Sequence, residues 1–219
     1  MAAGDVVRLE VSVRRDEVLR FLGYPEEFAP PRHIDALIDE AVAVGHRLAR
    51  AAGTWERLAV GQAGDVGLSP MDATDLVIGL ATAGAHIEAR VEELMGRGEV
   101  AQALLLDAVG SAVAEEAADR LSAAIVGNSG LEEVPEVPCR LSPGYGAWPL
   151  SAQPLLFQRL RHRDLGVTLL PSLLMLPRKS ISFAMWLGSC GPPAQGLAGC
   201  SRCALPHCRY RRTPPAGVP

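Results

Sequence analysis

The stretch VTLLPSLLMLPRKSISFAMWL, residues 167–187, decides the fold class. It holds three strand candidates: Val167 to Leu170, Leu173 to Leu176 and Ser180 to Leu187. Pro171-Ser172 and Pro177-Arg178-Lys179 punctuate the runs between them, as breakers do. Met175, Met185 and Trp186 in these runs read as core residues.

Upstream, helical patterns dominate. From Arg32 to about Ala52 the stripe Ile34, Leu37, Ile38, Ala41, Val44 and Leu48 recurs at three- and four-residue spacing, with Glu40, Arg47 and Arg50 outside it. Ser69-Pro70 fits an N-cap with proline in the first helical position and predicts a helix to about Leu80. A second helix is predicted from about Ala83 to Arg97. The longest runs from about Glu99 to Val126, ended by Gly127-Asn128. Its small residues Ala108, Ala112, Ala117 and Ala118 allow close packing. Shorter helices are expected over Asp16 to Phe21 and Ser151 to about Arg161. Residues 6–13 and Thr54 to Val60 are further strand candidates, and Gly61 to Gly67 reads as a loop. Helices first and short strands later predict an α+β fold. The 219 residues suit one domain, residues 1–188, with a Gly/Pro-rich, Cys-rich tail over 189–219.

Charge is unevenly spread. Residues 1–139 hold 11 Arg and no Lys against 24 acids, a balance of −13. Residues 140–219 hold 10 basic residues against Asp164 alone, a balance of +9. Either an anionic ligand or partner lies near the second part, or the two parts neutralise each other. No aromatic-interleaved basic patch points to nucleic acid. The N-terminus lacks the features of a signal peptide, and the longest apolar run, Leu165 to Pro177, is too short to span a bilayer. The expectation is a soluble, cytoplasmic protein without a membrane partner.

Three segments carry the chemistry: Asp107-Ala108-Val109-Gly110-Ser111 with Glu115 in the same helix; Arg140-Leu141-Ser142-Pro143-Gly144-Tyr145; and Ser172 through Ser182. Glu115 lies in an Ala-rich stretch, where a carboxylate needs a cationic partner. Arg140 opens a loop stiffened by proline and glycine, and its guanidinium can bind a carboxylate through two parallel hydrogen bonds. Gly144 permits positive φ or close backbone approach. Tyr145 offers a ring face and a hydroxyl. These residues fit a clamp for a zwitterionic amino acid with an aromatic appendage, Arg140 on the carboxylate and Glu115 on the ammonium. They also fit an ordinary Glu–Arg ion pair beside a proline-rich turn, which the residues by themselves favour.

The same segments resemble the S-adenosylmethionine (AdoMet)-binding activation domain of cobalamin-dependent methionine synthase. Arg140, Pro143, Gly144 and Tyr145 match its Arg-x-x-Pro-Gly-Tyr signature, and Pro177-x-x-Ser180-x-Ser182 matches its next strand-forming motif. The resemblance covers roughly residues 75–187. Val18 to Tyr24 further resembles the short, free-standing members. The resemblance implies a single α+β domain with a twisted antiparallel sheet and flanking helices. It implies AdoMet contacts from Glu115, Arg140, Ser142 (through its backbone), Gly144 and Tyr145, with no catalytic acid, base or nucleophile. It implies reductive methylation of an oxidised cobalamin carried by a partner methyltransferase subunit, with an electron-donor protein. Two departures stand out. No Asp-x-His-x-x-Gly motif supplies a cobalamin lower ligand, and Pro171 stands where the long enzymes carry an acid.

Five cysteines include four in the last 30 residues. Cys200-x-x-Cys203 followed by Cys208, with Cys190 upstream, has metal-ligand spacing suited to zinc or an iron–sulfur cluster. A redox thiol pair and a tail without a site are the competing readings. An iron–sulfur electron-transfer or docking subunit for a corrinoid methyltransferase is therefore the alternative function.

Overall fold

The computed structural model describes residues 4–24, 29–68, 75–128, 140–145 and 148–187. Its centre is an antiparallel sheet built on two long pairings. Strand β2 (Ala52–Ala59) pairs with β3 (Asp75–Thr82), and β3 pairs with β7 (Ser180–Leu187). Two short strands extend it: β1 (Val7–Arg8) beside β2, and β4 (Arg140–Leu141) beside β7, giving the order β1-β2-β3-β7-β4. A separate hairpin joins β5 (Thr168–Leu169) to β6 (Met175–Leu176).

Alternation along the strands sorts side chains to two faces. Val77 and Ala81 of β3 share a buried cluster with Phe183, Met185 and Leu187 of β7 and with Ala117, Ala118, Leu121 and Ile125 of helix α4 (Val100–Gly127). Leu76, Ile78 and Leu80 share another with Ala184 and Trp186, with Trp148, and with Leu156 and Phe157 of helix α5 (Gln153–Arg159). The sheet is thus covered on both faces. Helices α1 (Arg15–Leu22), α2 (Arg32–Leu48) and α3 (His86–Gly96) pack against α4 rather than against the sheet, around Val18, Ile38, Ile87 and Val109. Small residues bring α2 close. A Cβ on Gly45 would sit 2.3 Å from Val109 Cγ1.

The α+β expectation holds, with local elements corrected. The helix predicted to run to Leu80 is instead strand β3 over Asp75–Thr82, while Ser69 and Pro70 lie outside the described residues. The physical reason is burial. Residues 76–82 are buried on both faces, so the strand shows no polar alternation, and periodicity cannot separate it from a buried helix. With β2 and β3 in the first half, the strands also interleave with the helices instead of following them. The loop expected over residues 61–67 is largely a 3-10 helix, Val60–Val66.

Candidate functional site

Register places Arg140. It lies opposite Met185 in the β4–β7 ladder, and so shares the face of the sheet that looks onto α4. Leu141, opposite Ala184, points into the other cluster. Arg140 therefore reaches α4. Its Nη2 donates to Glu115 Oε2 at 2.9 Å, and its Nη1 lies 2.9 Å from Asp119 Oδ1. Glu115 and Asp119 are one helical turn apart and stack on one face of α4. The guanidinium carbon also lies 5.6 Å from the centroid of the Phe183 ring, within cation–π range.

The two contacts differ in kind. The Glu115 contact is a directed, charge-assisted hydrogen bond. The Asp119 contact is Coulombic only. Buried Nη1 finds no acceptor aligned with its N–H bonds among the described residues. The Arg140 side chain is 17% exposed, while Glu115 and Asp119 are 31% and 49% exposed, so the acids open to solvent and the arginine does not.

The turn after Arg140 is built from its backbone. Tyr145 N–H donates to the Ser142 carbonyl at 3.1 Å, and Gly144 takes φ +94°, a conformation that L side chains rarely adopt. Gly144 N–H donates to the Trp148 carbonyl at 2.9 Å. Trp148 anchors the loop, its indole N–H donating to the Val66 carbonyl at 3.0 Å inside the core. Pro143 is buried, whereas Tyr145 stays 63% exposed. The structure thus brings Glu115, Arg140, Ser142, Gly144 and Tyr145 into one neighbourhood where β4 runs into its turn beside α4. Asp119 joins them. Sequence reading missed it, though its i+4 spacing from Glu115 marks the same helix face.

The Asp107–Ser111 segment has a different task. Lys179 Nζ lies 2.8 Å from Asp107 Oδ1 and donates to Ser111 Oγ at 2.9 Å. Its backbone N–H donates to Glu88 Oε1 at 2.6 Å. Gly110 makes room for the lysine stem, since a Cβ there would lie 3.3 Å from Lys179 Cε and Cγ. Lys179 therefore bolts the start of β7 to α3 and α4. Ser180 continues the tie, its hydroxyl donating to the Pro177 carbonyl at 2.7 Å and lying 2.9 Å from the Thr82 hydroxyl. Replacing Lys179 by methionine should lower stability by about 1–2 kcal/mol, because Asp107 is solvent-accessible and stays hydrated without its partner. Calorimetric melting checks this.

Part of the charge asymmetry is neutralised internally. Arg140, Arg159, Arg178 and Lys179 of the basic part reach Glu115, Glu56, Glu88 and Asp107 of the acidic part. A shallow depression on the far side of the sheet, lined by Phe157, Arg161, His162 and Thr168 among others, contains none of the site residues.

Cys190, Cys200, Cys203 and Cys208 lie outside the described residues, as does the whole 189–219 segment. Among the described residues no group of His, Cys, Asp or Glu side chains is placed to hold a metal ion. Among them, too, no helix is long and apolar enough to cross a membrane.

Comparison with known proteins adds a likeness of fold. No family model matches the chain, and no curated protein matches it by sequence. Among solved structures, the reactivation domain of MetH bound to AdoHcy is similar, with a TM-score of 0.68 over 90% of this chain and 82% of that one. Sequence identity is 15%, so the likeness is one of fold. It agrees with the α+β architecture expected from the sequence.

Proposed function

We propose that the chain is an AdoMet-binding module for reductive methylation of an oxidised cobalamin on a partner methyltransferase, with methionine synthase as the partner enzyme. The observation that carries this reading is Arg140. It is a nearly buried guanidinium that bonds Glu115 through Nη2 and pairs with Asp119 through Nη1, set beside an exposed tyrosine and a positive-φ glycine turn. Fold likeness to a reactivation domain that binds AdoHcy supports the same reading.

The residues fit the ligand. Arg140 would take the carboxylate end, and Glu115 the ammonium. The Ser142 backbone and Gly144 would let the ligand approach the turn closely, and Tyr145 would lie against it. AdoMet, when bound, supplies a sulfonium methyl group that a reduced cobalt centre accepts with its own electron pair as AdoHcy leaves. The chain orients the donor and holds its charges. It provides no acid, base or nucleophile. The electron that returns the oxidised centre to its nucleophilic state must come from a separate donor protein.

The test is methyl transfer. A cobalamin-loaded methyltransferase domain in its oxidised state is incubated with a low-potential reductant and methyl-labelled AdoMet, with and without this chain. Label should reach the cobalamin only when the chain is present. Equal labelling without it would overturn the proposal. The alternative, an iron–sulfur electron-transfer or docking subunit, rests on the Cys190, Cys200, Cys203 and Cys208 pattern alone. It predicts a coloured protein that supports reduction without binding AdoMet.

A further inference from the structure

Charge counting around Arg140 leaves a remainder. One guanidinium faces two carboxylates, Glu115 and Asp119, so the trio carries a net charge of −1. Neighbouring charges cancel in pairs: Arg120 with Glu116, Arg20 with Glu17, and Arg14 with Asp16. AdoMet carries a carboxylate, an ammonium and a sulfonium, so its own balance is one positive charge. On the proposed reading Arg140 takes the carboxylate and Glu115 the ammonium. The sulfonium and Asp119 are then the remaining pair of opposite charges. Their spacing agrees. Glu115 and Asp119 stand one turn apart on α4, about 5.4 Å along the axis. Two methylene groups separate the sulfonium from the carbon that bears the ammonium. Asp119 is also 49% exposed against 17% for Arg140, so its charge lies on the open side of the pair.

We infer that Asp119 sets the site's preference for a sulfonium ligand over its neutral thioether product. The inference rests on the AdoMet reading of the site and deepens it. In the transfer the bond between methyl carbon and sulfur breaks with its electron pair left on sulfur, and the methyl carbon bonds to the electron pair of the reduced cobalt centre. Sulfur loses its positive charge, and the ligand becomes a neutral zwitterion. The negative remainder of the site is therefore balanced by AdoMet and left unbalanced by AdoHcy. Asp119 attracts the methyl donor, and that attraction ends once the methyl group has gone, so spent ligand gives way to fresh donor. The residue acts through its charge. It keeps its pairing with Arg140 throughout and needs no direct contact with the ligand.

The experiment is calorimetric titration of the full chain, as wild type, Asp119→Asn and Asp119→Glu, with three probes: AdoMet, AdoHcy and sinefungin. Sinefungin carries a protonated amine in place of the methylated sulfur. The probes share the carboxylate, the ammonium and the adenosine, so any effect of the substitution on Arg140 acts on all three and cancels in their affinity ratios. Asp119→Asn should lower the preference for AdoMet over AdoHcy by roughly two- to fourfold, the effect of one unit charge at short range in a half-exposed setting. The preference for sinefungin over AdoHcy should fall with it. Asp119→Glu keeps the charge and should keep both ratios. A ratio unchanged or raised in Asp119→Asn, with AdoMet still bound, would overturn the inference and leave the AdoMet reading standing. A fall for AdoMet without one for sinefungin would mark a contact with the methyl group and overturn it too. So would loss of all three probes by a folded Asp119→Asn protein, which would make the residue a support for Arg140 alone. Absence of AdoMet binding in every protein, the wild type included, would remove the AdoMet reading and the inference together.

Discussion

Arg140→Ala is expected to weaken AdoMet binding by about 100-fold or more, the loss that follows when a charged, hydrogen-bonded anchor is deleted from a nearly buried position. The expectation comes from geometry. Glu115, Ser142, Gly144 and Tyr145 each contribute one interaction or only backbone, whereas Arg140 presents a planar fork of donors. Its Nη1 donor has no aligned acceptor among the described residues. Arg140→Lys should recover little. A point charge on a flexible stem can neither keep the Glu115 bond and a carboxylate bond together nor lie flat toward Phe183. The fold should tolerate the change. Arg140 sits on a two-residue strand at the end of the observed strand order, and the acids it leaves behind are 31% and 49% exposed, so water replaces the guanidinium. A stability loss of about 1 kcal/mol is the expected scale. Titration calorimetry paired with thermal melting separates the two effects. Undiminished binding in a folded Arg140→Ala protein would exclude the proposed site.

What the sequence revealed, and what it hid, follows from how each signal is encoded. The Arg140–Tyr145 segment was legible because each residue type has a narrow physical use: a fork of donors, a fixed φ, a positive φ, an amphipathic ring. Strand β3 was hidden because burial on both faces erases the alternation that marks a strand. Ser69-Pro70 upstream then suggested a helix running through residues that are strand from Asp75 on. Asp107–Ser111 was legible as a motif but not as to its task. Its partner Lys179 lies 68 residues beyond Ser111, and no local pattern links them. Asp119 was hidden for the opposite reason. A second acid one turn beyond Glu115 on a helix reads as a solvated face until β4 is seen to bring an arginine against it. The charge imbalance was visible as a number, but only the fold shows that four basic side chains of the second part fold back onto acids of the first.

The same ladder that aims Arg140 at α4 makes one glycine in the sheet irreplaceable. Gly79 of β3 lies opposite Phe183 of β7 and on the face that meets α4. A Cβ at position 79 would sit 2.5 Å from Phe183 Cζ and 2.9 Å from both Cε atoms. The ring therefore lies flat over the backbone of β3, in space that only glycine leaves open. Phe183 is fully buried and hemmed in by the α4 cluster, so it cannot swing aside at low cost. Gly79→Val gives β3 a better strand former, but that gain is worth no more than about 1 kcal/mol. Overpacking against a trapped aromatic ring outweighs it, by about 3 kcal/mol net. In a domain of this size that lowers Tm by roughly 6–12 °C. The guanidinium of Arg140 lies 5.6 Å from the ring centroid, so a ring pushed off Gly79 disturbs it, and the variant should also bind AdoMet more weakly than its folded fraction accounts for. Phe183→Leu frees the space above position 79. Combined with Gly79→Val, it should cost less than the sum of the two single changes, a coupling readable from a double-mutant cycle. Strict additivity, or a Gly79→Val protein with an unchanged Tm, would mean that the ring is not seated on Gly79 and that Arg140 draws its position from the β4–β7 ladder alone.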